Sequence, residues 1–387
     1  MRNWITVRVA GRGRLVAVGA ALLALALLVA AFSLPNLLRG LNHPTAMGRE
    51  VLFQGTWGGG DGQLGRYQGA DGKVHGPQSL ALAPSGWVYV LDTYNRRVAV
   101  FDASGKPLRT INLPKGNVEG YNLPAFPDDI AVDGKGHVYL ADNRNLAIIV
   151  FDTAGKYLGL LRVTPPGEVK GDGKTDFYGR LENLYAAADG VYTDEFWING
   201  EEAFRLIRRY PVPGAGGWAG TAQTVLQATF SLGLKGPSLT GGAAGFTSSY
   251  MDGDRFYLEG PVSDAAPSNR AVTVADTDGH RRRVVTVAGS TSLAGAALLG
   301  VARDGRLYFG AGLTHGEGQL IIAEATGHVE RTYSVGGANF EAVHPARLRP
   351  NGDVYLLTGT AEGVQLTRLV AQKSLRFSGK TLGDQGP

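Results

Sequence analysis

Pro84-Ser85-Gly86-Trp87-Val88-Tyr89-Val90-Leu91 joins a small-residue turn to an apolar-Tyr-apolar step. The step returns as Val138-Tyr139-Leu140, Val191-Tyr192-Thr193, Phe256-Tyr257-Leu258, Leu307-Tyr308-Phe309 and Val354-Tyr355-Leu356. The Tyr-to-Tyr intervals are 50, 53, 65, 51 and 47 residues. A recurring unit of this length, with β-branched and aromatic residues after each turn, is one four-stranded sheet of a radial array. The pattern predicts an all-β chain, a six-bladed β-propeller over residues 50–372.

Working outward, blade one reads as an innermost strand at 79–83, a second at 87–91, a third at 98–101 and an outer strand at 107–113. Blade two repeats it over 130–163. Asp-Gly and Ser-Gly pairs punctuate the hairpins, because Gly accepts the positive φ that tight turns need. Asp189-Gly190, Asp252-Gly253, Asp278-Gly279, Asp304-Gly305 and Thr326-Gly327 place blades three to five, and 346–349, 354–358 and 364–370 supply blade six. Residues 50–57 have an outer-strand pattern but precede blade one. They are expected to complete blade six beside 364–370, with 375–377 as the rival for that position. The Gly-rich stretch 58–62 reads as a flexible loop, and 373–387 as a flexible tail.

Asp92, Asn95, Val98, Phe101 and Asp102 recur as Asp142, Asn145, Ile148, Phe151 and Asp152 at a 50-residue offset. This pattern resembles the NHL repeat, whose members form six-bladed propellers. Arg97 is replaced by Ala147, and blades three to six keep the rhythm without the motif. Asp92 and Asn95 are expected to hold the turn after the second strand through side-chain to backbone hydrogen bonds.

The N-terminus carries a separate signal. Arg2, Arg8, Arg12 and Arg14 form a basic tail, 1–14, before an uncharged span at 15–34, and no acidic residue occurs before Glu50. Twenty such residues suffice for one transmembrane helix. The Arg-rich flank puts the tail in the cytoplasm and the propeller outside. The reading is an uncleaved signal anchor followed by a linker, 35–49, and hence a single-pass protein of the cell membrane. A cleaved signal ending near Ala30-Ala31 is the alternative.

The formal charge of +4 comes from this tail. Without its four Arg, 34 basic residues face 34 acidic ones, so no nucleic-acid partner is expected. Arg281-Arg282-Arg283 reads as a solvated turn. Absence of Cys excludes disulfides, thiolate metal ligands and a lipid-modified cysteine.

Long segments at 58–76, 114–126, 164–181, 231–247 and 260–270 all lie on the face where the innermost strands begin, which marks it as the working surface. His75, Gln78, Asp128, Asp129, Glu182, Asn183, Glu341 and His344 form a candidate polar cluster at that channel mouth, with Ser79, Ser248 and Ser249 beside them. Tyr67, Tyr121, Phe126, Phe177 and Tyr178 form a candidate aromatic surface for a protein or glycan ligand. No nucleophile motif, zinc-binding helix motif or phosphate loop is present. The sequence thus favours a binding or scaffold module without a cofactor. The alternative is a metal-dependent, lactonase-like hydrolase or lyase holding Ca²⁺ or Zn²⁺ through Asp129 and Asn183.

Overall fold

The six recurrent tyrosines, Tyr89, Tyr139, Tyr192, Tyr257, Tyr308 and Tyr355, all fall on second strands and are all buried. They belong to a computed structural model that describes residues 47–118, 121–123, 126–165, 177–199, 202–211, 222–231, 248–261, 269–288, 293, 295–314 and 317–371. Six four-stranded antiparallel sheets form the six blades. Blade one comprises Ser79–Leu82, Val88–Asp92, Arg97–Phe101 and Pro107–Asn112, and blade two Asp129–Val132, Val138–Asp142, Ala147–Phe151 and Tyr157–Arg162. No α-helix occurs among the described residues, and none of their helices could cross a membrane. The predicted span at 15–34 and the tail at 373–387 lie outside them.

Second and third strands are buried on both faces because neighbouring blades sandwich them. Outer strands alternate or stay exposed, as in Pro107–Asn112. The hydrophobic core is therefore a set of inter-blade layers. One joins Tyr89, Val98 and Val100 of blade one to Leu140, Ile149 and Phe151 of blade two.

Met47–Thr56 is the outer strand of blade six, next to Gly363–Ala371. Arg49–Val370 forms one compact unit. The indole of Trp57 donates to the Thr360 carbonyl at 3.0 Å, and Arg368 pairs with Glu50 at 2.6 Å. Phe53, 8% exposed, packs against Phe101 of blade one, ring centroids 4.5 Å apart and tilted by 50°. Its position locks the seam by packing as well as by strand pairing.

The stretch after this strand is pinned. Arg97 donates from Nη1 to the Gly59 carbonyl at 3.0 Å and from Nη2 to the Gly60 and Gln63 carbonyls at 3.1 and 2.7 Å. Asn95 takes the Gly58 carbonyl at 2.7 Å, and Asp92 accepts from the Gly65 amide at 2.8 Å. Asp92 in turn holds Asn95 and Arg97, both at 2.8 Å. A Cβ on Gly65 would lie 2.7 Å from Asp92 Oδ1, so only Gly fits there. In blade two Asp142 instead accepts from the amides of Arg144 and Asn145, and no arginine is needed.

Three further expectations are corrected. Phe177–Ala186 is the first strand of blade three and pairs as far as Phe177↔Asn199, so the stretch 164–181 is not wholly a connecting loop. Arg281–Val287 is the outer strand of blade four, and its arginine run is strand rather than turn. An outer strand is covered on one side at most, so a charge run costs it little. Gly58 to Gly62 forms a pinned lead-in to blade one.

Candidate functional site

Innermost strands converge on the axis, so their side chains decide what the channel can hold. At its waist, Asp129 of blade two is buried and saturated. Its Oδ1 accepts from the Ser79 hydroxyl at 2.6 Å and from Arg347 at 2.5 Å, and its Oδ2 accepts from the Leu184 amide at 2.9 Å. Arg347 of blade six also donates to the Leu80 carbonyl at 3.1 Å. One ion pair therefore ties blades six, one, two and three. His344 Nε2 lies 2.9 Å from the Glu182 carbonyl and 3.7 Å from Asp129 Oδ2. Burial pushes this imidazole below the usual histidine range, Asp129 pulls it back, and Arg347 adds to the downward push.

The next cluster is anionic at its centre. Asp194 of blade three is fully buried and takes both Nε and Nη2 of Arg205, at 2.8 and 2.7 Å, with the Ser249 hydroxyl of blade four at 2.5 Å. Asn183 points to Asp194 at 3.3 Å. Tyr185 reaches the Ser249 carbonyl at 2.7 Å, and Ser248 donates to Glu259. Sequence reasoning placed Asp129 and Asn183 together, whereas the fold gives them different partners. A cation at Asp129 would have to displace Arg347, and a guanidinium already neutralises that carboxylate. These residues as arranged do not fit Ca²⁺ or Zn²⁺. No group of three or more His, Asp or Glu suited to a metal occurs among the described residues.

Asp128 stands apart, half-buried, accepting from Asn143 at 2.8 Å. Burial raises its carboxyl to about 6, Asp142 and Asp129 adding to the rise while Asn143 and Arg180 oppose it. Glu182 pairs with Arg180 at 3.5 Å, and Glu341 with Lys73 at 3.1 Å. Gln78 spends its amide on the Gly76 and Glu341 carbonyls. Seven of the eight expected polar ligands are thus engaged by other groups of the chain, and His75 is left with ring contacts.

What stays open on this face is aromatic. Tyr67 is 52% exposed and stacks on Tyr94, centroids 5.5 Å apart with an 11° interplanar angle. His75 lies 6.0 Å from each ring. Phe126 is 39% exposed and Tyr178 61%. Tyr121 and Phe177 lie on strands Tyr121–Leu123 and Phe177–Ala186, of which only the backbone is described there. Tyr94 was missed because it sits inside the Asp92-to-Asn95 turn, where the flanking residues drew the structural reading. Arg347 could have been noticed as a charge within the short innermost strand Ala346–Leu348.

No family model matches the chain, and no curated protein matches it significantly. Among solved structures it is similar to a streptogramin B lyase, at 12% identity and TM-score 0.45, over 85% of this chain and 99% of that one. A candidate 6-phosphogluconolactonase from Bacteroides fragilis is similar at 14% identity and TM-score 0.41, over 85% and 96%. Hydrazine synthase of Kuenenia stuttgartiensis follows at 11% and 0.41, over 76% and 96%. Likenesses at this level bring none of those proteins' chemistry to this chain.

Proposed function

We propose that the chain is a membrane-anchored, extracytoplasmic, NHL-like propeller that binds a protein or glycan partner on its long-loop face. The observation that carries this reading is the placement of Tyr67, Phe126 and Tyr178. All three are exposed, and they lie in segments that precede or open the innermost strands of blades one, two and three. Exposed rigid aromatics offer large contact area at small entropic cost. Most of the polar groups beside them are engaged with other groups of the chain. Support for the NHL-like part is the Asp92-Asn95 and Asp142-Asn145 turn chemistry. The anchor rests on the Arg-flanked span at 15–34.

A photo-crosslinking residue at position 178, in the full chain in its native membrane, should capture one partner that a Tyr67→Ala background loses. The same residue at position 104, on the opposite face, should not. Equal capture from both positions would reject the reading. Protease added to intact cells should digest or release the propeller, and protection of it would overturn the orientation.

A further inference from the structure

The waist formed by Leu184, Tyr185, Tyr250 and Arg347 lines two cavities, one toward each face. The one toward the long-loop face is about 380 Å³. The one toward the short-turn face is about 870 Å³, within the range of small-molecule sites. Its wall is built from the ends of the innermost strands: Leu82, Ala83, Ile130, Val132, Ala186 and Met251. Ala83 and Ala186 supply only a methyl group each to this wall.

The rim carries charge. Arg303 and Arg349, on adjacent blades, are brought together where the Arg303 amide donates to the Pro350 carbonyl at 2.6 Å. Arg349 lies 5.3 Å over the Tyr355 ring, gives Nη2 to the Ala83 carbonyl at 3.2 Å and has no acceptor at Nε. Neither arginine pairs with a carboxylate among the described residues. Asp189 and Asp254 also reach the rim. Asp189 is held by Arg209 at 3.1 Å and by the Tyr192 hydroxyl at 2.8 Å, and Asp254 lies 3.9 Å from Arg255. Asp252 sits close enough for Arg303 to favour its charged form against the upward push of burial. The acids thus have cationic neighbours, and the two guanidinium groups stand at the rim of the cavity without an ion-pair partner among the described residues.

We infer that this cavity is a second ligand site, for a small organic carboxylate with an apolar body. Guanidinium groups present paired donors that match a carboxylate, and the wall removes the rest of the ligand from water. The inference is independent of partner binding on the other face.

The test is calorimetric titration of the full chain with 2-naphthoate and with the uncharged 2-naphthamide. The acid should bind saturably and about tenfold or more tighter than the amide. Arg303→Gln and Arg349→Gln should each remove most of that preference. Leu82→Trp should block both ligands, while Tyr67→Ala should change neither. Unaltered near-ultraviolet circular dichroism identifies variants that remain folded. Absence of saturable binding by the wild-type chain, equal binding of acid and amide, or a preference that survives both arginine changes would overturn the inference.

Discussion

Arg347 of blade six reaches past the ring seam to Asp129 of blade two, Nη2 to Oδ1 at 2.5 Å, with Ser79 of blade one on the same oxygen. The seam between the first and last blades is therefore fastened at the hub as well as at the rim. Arg347→Met should destabilise the propeller by about 3–5 kcal/mol, because it leaves a buried carboxylate without its cation. Adding Asp129→Leu should restore much of the loss. Denaturant midpoints of the two single variants and the double variant give the coupling, and additive losses would show that the pair does not act as a unit.

Rim closure should depend on one side chain far more than on its neighbour. Phe53→Ala is expected to cost about 3–5 kcal/mol, since the ring is buried against Phe101. Val51, 47% exposed, should tolerate Ala within about 0.5 kcal/mol. Thermal melts of the two variants decide it.

Asp128 should make stability fall as the solution is neutralised. Its carboxyl titrates near 3.8 when unfolded and about 6 when folded. Across that window the folded state holds the extra proton, so stability is highest below about pH 4 and declines until about pH 6. Asp128→Asn should escape this decline. Its advantage over wild type should grow through the window and level off on the order of 2–3 kcal/mol. Urea midpoints at pH 4, 5, 6 and 7 would show it, and parallel profiles would contradict it.

Arg97→Ala should release the lead-in to blade one. Four acceptors lose their donor, three of them carbonyls of Gly59, Gly60 and Gln63. Asp92 is left buried and is held only by Asn95 and the Gly65 amide. Trypsin should then cut after Arg66 in the folded protein, where wild type resists. A resistant variant would mean that strand pairing alone fixes this segment.

Much of the fold was legible because its determinants are local. A turn glycine and the alternation around Tyr89 or Tyr355 act within a few residues, and residues 50–57 carried an outer-strand pattern even without a neighbour in sequence. The hub was not legible in this way. Arg347 and Asp129 are 218 residues apart, and nothing near either one names the other. Blade three was read short because Phe177 to Leu181 mixes Gly and Arg with apolar residues. The larger cavity was missed because alanines at 83, 131 and 186 look like ordinary strand residues until six strands converge around them.

Closure by the N-terminal strand also sets a schedule. Trp57 and Thr360 are 303 residues apart, and Glu50 and Arg368 are 318 apart. Contacts so distant form late and slowly. On the ribosome the strand Met47–Thr56 emerges ahead of every other blade strand and then waits, without its sheet neighbour, until blade six has been made. Five blades could assemble in order behind it, but the last cannot be finished during synthesis. For that interval the nascent protein offers a ready edge to any other strand, and a chain truncated before Gly363 would keep offering it.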